Sequence, residues 1–334
     1  MALIEDAWRT CIETLAQTVL GTRDITNATT GVTRTVPSIA DSDNDFSIAI
    51  ADELLAWLGS EGIAYTTSAR TGANEIGSAL VPAIRDFLEA TLNGPMQRIR
   101  PVEWKFQEGG LISTTAQYRH LEVLRRLHRT PDRLNVDPKR RGPVSQAEAD
   151  EERTETLVAL SGEYQVRPDL LVLRPALDDA ALNPVGEPPA FDPTARTGEL
   201  AALRRLQGAG ARRKAYPLCH ANVSLKWTFR SDRAQNVRTE ALQMIRQRRG
   251  SMPHMVAVTG EPLPSRLESL ARGTGELDAL YHVALHPLVE GLERLAAGTG
   301  GFEEAAEKAL PVIYALRDAG RLKDLTDLPF DLAA

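Results

Sequence analysis

The chain has 334 residues, 43% of them hydrophobic and 25% charged, enough to bury a sizeable core in one large domain or two small ones and too balanced for disorder or a coiled coil. No apolar run reaches membrane-spanning length, and Met1–Leu20 carries Glu5, Asp6 and Glu13, which argues against a secretory signal. Cys11 and Cys219 are the only cysteines and stand in unrelated surroundings, so a reduced, cytoplasmic protein without disulfides or thiolate metal sites is expected. Net charge is −6, yet residues 201–250 hold twelve Lys and Arg against Asp232 and Glu240, a segment of +10 on a remainder of −16. That asymmetry fits a phosphate-binding face on an acidic body, although a solvated basic surface has the same signature.

In chain order, Ala2–Leu20 has apolar residues at helical spacing and stops at Gly21. Thr22–Ser38, rich in Thr, Asn and Gly, reads as a loop. Asp41-Ser42-Asp43-Asn44 offers caps before a helix over Phe46–Leu58, and Ser78–Leu92 and Thr114–Leu127 read as amphipathic helices. Residues 130–160 form a polar excursion with an acidic helix over Ser145–Leu160.

The second half changes character. Gln165–Leu173, Cys219–Phe229, Met255–Thr259 and Leu277–Leu285 are short apolar runs that alternate with helical patterns at Asp232–Arg249, Pro264–Arg272 and His286–Ala297. This alternation predicts an α/β fold with a covered sheet. We expect a single domain: a helical N-terminal half to about residue 160, an α/β core over about 161–300, and a C-terminal helical segment over 301–334.

Two stretches carry the chemistry. Arg167-Pro168-Asp169-Leu170-Leu171-Val172-Leu173 sets a carboxylate at the start of an apolar strand, where it needs a cation, a metal or a capping role. Ser224-Leu225-Lys226-Trp227-Thr228-Phe229-Arg230-Ser231-Asp232-Arg233 sets a lysine in an extended run directly before two guanidinium groups and a carboxylate at the start of a helix. Alternation puts Ser224, Lys226 and Thr228 on one face. An Asp and a Lys on neighbouring strands suit phosphodiester hydrolysis, in which the carboxylate holds Mg²⁺ and the lysine steadies charge or the nucleophile. Arginine is bidentate to guanine O6 and N7, and aspartate accepts from cytosine N4, so Arg-x-Asp-Arg suits adjacent G·C pairs. Each feature also has a plainer reading: a turn cap for Asp169, a snorkelling Lys226, a surface pair for Arg230 and Asp232.

The Pro-Asp…Lys arrangement resembles the PD-(D/E)xK nuclease superfamily, with Ser224 standing where an acid usually precedes the lysine by two. Glu240, on the rim of the following helix beside Val237, Ala241 and Met244, is the candidate replacement. Over a longer stretch the chain resembles the NgoMIV group of type II restriction endonucleases. Ser224–Arg233 with Ala234-Gln235-Asn236, then 253–259, Pro264-Ser265-Arg266, Gly273-Thr274-Gly275-Glu276 and Arg321-Leu322-Lys323-Asp324 carry that resemblance. In that group a serine stands two before the lysine and the displaced glutamate is on the next helix.

The resemblance implies a restriction-endonuclease-like mixed sheet and Mg²⁺-dependent cleavage of double-stranded DNA at a palindrome with a CCGG core, GCCGGC by that likeness, using about two ions per site. Asp169, Lys226, Glu240, Ser224 and, through a gapped match, Glu75 are the implied catalytic set. Asp169, Glu240 and Leu225 are the implied metal ligands. Arg230, Asp232 and Arg233 match the CCGG readers, while Arg70 and Ser42 fall where flanking base pairs are contacted. A symmetric dimer or pair of dimers and a cognate DNA methyltransferase are the implied partners. A catalytically silent DNA-binding protein and a structure-specific repair nuclease are the alternatives.

Overall fold

A computed structural model describes residues 2–26, 31–70, 72–121, 166–192, 201, 216–229, 231–273 and 275–334, without the side chains of Ala73, Ser231, Asp232 and Arg233. The N-terminal part packs α1 (Leu3–Ala16) against α3 (Ala73–Leu92), with α2 (Asp45–Ser60) set against α7 (Leu285–Ala297). The sequence rules operate visibly here: the side chain of Asn44 caps α2 by accepting from the Ser47 N–H at 3.0 Å. Between α1 and α2 the expected loop is instead a two-stranded antiparallel hairpin, β1 (Thr22–Thr26) and β2 (Thr33–Pro37). Its threonines are β-branched and favour a pleated strand, a preference that outweighs the absence of apolar alternation.

The centre is a six-stranded mixed sheet in the order β3-β4-β5-β6-β7-β8. Its strands are β3 (Lys105–Glu108), β4 (Leu170–Arg174), β5 (Leu218–Leu225), β6 (His254–Thr259), β7 (Ala279–His282) and β8 (Leu322–Asp324). The first three run antiparallel and β5 to β8 run parallel. Helices cross between the parallel strands: α5 (Ser231–Gln247) after β5, α6 (Pro264–Ala271) after β6, and α7 with α8 (Glu303–Asp318) after β7. A short α4 (Asp179–Leu182) follows β4, and α9 (Leu328–Ala333) ends the chain.

The fold class read from the sequence is the one observed, with two strands beyond it. β3 is a polar edge strand with Phe106 as its one apolar residue, and β8 is three residues long within the segment expected to be helical. One hydrophobic cluster runs from Ile12 and Leu15 of α1 through the sheet to Leu332 of α9. No described helix is long and apolar enough to cross a membrane.

The helix expected from Thr114 starts later. Ile112–Thr114 and Ala116–Tyr118 are 3₁₀ turns, and residues beyond Leu121 in that stretch lie outside the described part, as do Ser145–Leu160. Tertiary bonds override the local periodicity here. The buried Gln117 amide donates to the Cys219 carbonyl at 2.7 Å, and its oxygen accepts the Cys219 N–H at 2.9 Å. The Tyr118 hydroxyl donates to the Met244 carbonyl at 3.0 Å. These bonds anchor the start of β5 and the end of α5, the two elements that bracket the functional stretch.

Gln117→Ala should therefore orphan both backbone groups of Cys219. Each unsatisfied buried group costs about 1–3 kcal/mol, so urea unfolding should show a loss of roughly 2–5 kcal/mol. A loss below about 1 kcal/mol would mean that the 3₁₀ segment is held by other contacts.

Candidate active site

The site forms where β4 begins and β5 ends. Antiparallel pairing sets Leu170 opposite Val223, and one step further along that register Asp169 comes level with Ser224. Asp169 Oδ2 accepts from Lys226 Nζ at 2.6 Å and from the Leu225 N–H at 2.8 Å. Both charged side chains are about a quarter exposed, at 29% for Asp169 and 20% for Lys226, so the pair is partly desolvated and still open to a ligand. The Lys226 N–H donates to Val258 O at 3.0 Å, which continues the parallel ladder one residue past β5 and fixes the lysine backbone.

Glu240 reaches the same place from α5. The helix buries Ala234, Val237, Ala241 and Met244 at spacings of three and four, and Glu240 stands at the rim of that face. Burial pushes its carboxyl above the usual range. The Lys226 ammonium draws it down, the Asp169 carboxylate pushes it up, and a hydrogen bond from the Ser224 side chain draws it down again. Ser224, Lys226, Asp169 and Glu240 thus share one neighbourhood. Two carboxylates held near one another repel, and a divalent cation between them would relieve that repulsion. Their oxygens are the hard donors Mg²⁺ prefers, and Mg²⁺ commonly takes one or two carboxylates plus water and phosphate. The donor set therefore fits such an ion. Leu225, the third implied ligand, is adjacent and spends its N–H on Asp169.

Glu75 is not brought to this cluster. Its Oε2 turns back onto the N–H of Gly72 at 3.1 Å, closing the first turn of α3, and the side chain is exposed. Among the described residues no group of three or more His, Cys, Asp or Glu is gathered where a metal could sit. Local capping chemistry accounts for this placement, since a glutamate three residues into a helix bonds its own N-terminal backbone. Arg70 is likewise exposed, with its backbone N–H on Thr18 O at 3.0 Å. Arg230 lies outside the described residues. Asp232 and Arg233 begin α5, so the segment carrying all three starts four residues after Lys226.

A cleft opens beside Lys226. Trp227, Thr228, Asp41, Ser42, Arg23 and Arg266 are among its lining residues, and its volume is about 100 Å³. Ser42 is thereby brought close to the segment that follows the lysine.

Behind Arg266 of the cleft is a residue that has no counterpart among the sequence-based candidates. Glu261 is fully buried and accepts the Phe229 N–H at 2.7 Å and the Leu263 N–H at 3.1 Å. Arg266 stands 3.6 Å from it and also bonds Asp41. The sequence signal was present, as an acid directly after the apolar run of β6 in Gly260-Glu261-Pro262. Gly260 is equally constrained, because a Cβ there would fall 2.9 Å from the Trp227 ring. Glu261 therefore pins the turn between Lys226 and the Arg-x-Asp-Arg segment to the end of β6.

The sequence model of the NgoMIV restriction enzyme family matches residues 20–136 and 144–334 of the chain. The type II restriction enzyme NgoMIV of Neisseria gonorrhoeae is 36% identical over 305 residues, which cover 90% of this chain and 91% of that protein.

Burial raises the Glu261 carboxyl from the ordinary 4.5 to about 7, against the lowering effect of the Phe229 and Leu263 N–H groups and Arg266. With the folded value above the unfolded one, this group's stabilising contribution is fully present below about 4.5 and lost as pH rises through 7. Between those limits stability should fall with pH by at most about 1.4 kcal/mol per unit from this residue, and Glu261→Gln should remove that slope. Chemical unfolding of both proteins between pH 5 and 8 checks it. Parallel slopes would show that Glu261 titrates in its normal range.

Proposed function

We propose a reaction and a target for this chain, which belongs to the NgoMIV restriction enzyme family and is a site-specific type II deoxyribonuclease acting on double-stranded DNA: Mg²⁺-dependent hydrolysis within a palindrome whose core is CCGG, with GCCGGC as the full site. The observation that carries the reading is the meeting of Asp169, Lys226 and the Ser224–Glu240 pair where β4 begins and β5 ends. The base-reading segment begins four residues beyond the lysine.

Asp169 and Glu240 are the side chains to hold the metal, with Leu225 contributing through its backbone. Bound Mg²⁺ supplies Lewis-acid polarisation of the scissile phosphate and a more acidic water. The chain's own residues do the rest. A lysine ammonium has three donors, and one is spent on Asp169, which leaves two for a non-bridging phosphate oxygen or the attacking water. Ser224 keeps Glu240 aimed at the site by donating to its carboxylate, and that bond offsets part of the rise in proton affinity that burial causes. Glu75 is assigned a supporting role that requires it to leave Gly72.

Arg230 and Arg233 are the guanine readers and Asp232 the cytosine reader, with Ser42 and Arg70 nearest the flanking pairs. A palindrome presents the same bases twice about a two-fold axis, so the working unit is a symmetric dimer, assembled further as a pair of dimers. An enzyme of this specificity needs a methyltransferase that protects the same site in the host chromosome, and it works in the cytoplasm, where that chromosome lies. The whole chain acts as one nuclease domain.

Asp169→Ala or Lys226→Ala should abolish cleavage of a GCCGGC duplex with Mg²⁺ while leaving far-ultraviolet dichroism close to wild type. The Lys226 variant should still bind DNA, because phosphate contacts elsewhere dominate affinity. Cutting at near wild-type rates by either variant would remove these residues from the chemistry. Replacing Arg230 or Arg233 with Ala should cost roughly 1–3 kcal/mol of discrimination at one G·C pair. A uniform loss across all sequences would make them phosphate clamps instead.

A further inference from the structure

The hairpin of β1 and β2 has two chemically different faces. Register pairs Asp24 with Thr35 and Thr26 with Thr33, so these four share a face. That face is satisfied internally: Thr35 Oγ1 donates to Asp24 Oδ1 at 2.6 Å, and the Thr26 and Thr33 hydroxyls lie 2.9 Å apart. The other face carries Arg23 opposite Val36 and Ile25 opposite Arg34. Val36 is buried against the body, which orients this face toward the protein and the cleft beside Lys226. Arg34 donates to the Ser42 carbonyl and keeps an exposed side chain. Arg23 lines the cleft with Asp41, Ser42, Trp227, Thr228 and Arg266. Its Nε is shielded from solvent and has no hydrogen-bond partner among the described residues.

A shielded guanidinium N–H without an acceptor costs free energy that a folded protein rarely leaves uncompensated. The hairpin's one described carboxylate, Asp24, is engaged by Thr35 on the opposite face. The carboxylate of the cleft itself, Asp41, is engaged by Arg266, and a planar fork of donors matches phosphate oxygens. As diagonal neighbours across the pair, Arg23 and Arg34 are about 7–8 Å apart at their Cβ atoms, enough to meet two phosphates of one strand.

We propose that the Arg23–Arg34 face of the hairpin is a further DNA-binding site, which takes backbone phosphates of the duplex outside the CCGG core. It rests on the reading of the Asp169–Lys226 site as the DNA-cutting site, and it assigns the hairpin to affinity and register on the duplex without base selection. Phosphate contacts position a protein on DNA and carry no sequence information directly.

The test uses the full chain and two duplexes with one GCCGGC site, a long one with twelve base pairs on each side and a short one with two, whose phosphates outside the CCGG core are replaced by neutral methylphosphonates. Binding is measured without divalent metal over a range of NaCl concentrations. On the long duplex, Arg23→Gln removes one phosphate contact from each half of the dimer and should reduce the slope of log K against log salt by about 1.8, and Arg23→Gln with Arg34→Gln by about twice that. Arg23→Lys should restore the slope, since charge at that position is what counts. The short duplex should show equal slopes for wild type and variants, and discrimination against a single change in the core should be untouched. An unchanged slope on the long duplex in the double variant would overturn the proposal. So would a loss of equal size on both duplexes, which is the mark of local structural damage, or a loss confined to one flanking base pair, which is the mark of base reading. Wild-type protein that ignores the core sequence while the slopes shift as described would keep the hairpin contact and remove the CCGG reading.

Discussion

Everything at the site depends on one carboxylate at the start of a buried strand. Asp169 precedes the fully buried Leu170-Leu171-Val172 run and takes both the Leu225 N–H and the Lys226 ammonium of the neighbouring strand. An acid so placed is expensive unless paired, and removing one partner of a partly buried pair leaves the other charge uncompensated. The antiparallel register of β4 and β5 is what makes the pairing possible. A one-residue slip would turn Lys226 to the opposite face and separate the two groups. Sheet register and catalytic geometry are therefore a single constraint.

The second layer is built on the parallel side of the sheet. Lys226 is held by Val258 and the following turn by Glu261, so β6 and the turn after it fix both the lysine backbone and the approach to α5. Retaining a charge at Glu261 carries a desolvation penalty, which its raised proton affinity reports. A neutral residue would pack there at lower cost but could not accept two backbone N–H groups while facing Arg266. The penalty accompanies a fixed link between the Lys226 strand end and the start of α5. Such penalties concentrate at functional sites.

Much of this was legible in the sequence. The four apolar runs of the second half correspond to β4 through β7, because strands covered on both faces read as continuous hydrophobic stretches. Ser224 standing two before Lys226 directed attention to the helix that follows, and Glu240 lies there in contact with Ser224. Less visible were β3 and β8, which are short edge strands whose polar residues obscure any pattern. The hairpin was hidden because Thr serves loops and strands alike and its strands show no apolar alternation. Glu75, matched through a gap in the family resemblance, bonds its own helix, since the capping bond to Gly72 is local and needs no tertiary partner. Glu261 escaped because a lone acid after a strand has no motif to mark it.

The central claim is that cutting and reading are rigidly joined through the turn between Lys226 and the start of α5. Sequencing the ends produced from plasmid DNA in the presence of Mg²⁺ tests it most directly. A rigid link predicts that every cut falls at one fixed offset from a CCGG core, symmetric on the two strands. Ends that cluster around CCGG but vary in offset, or that scatter without regard to it, would contradict the account.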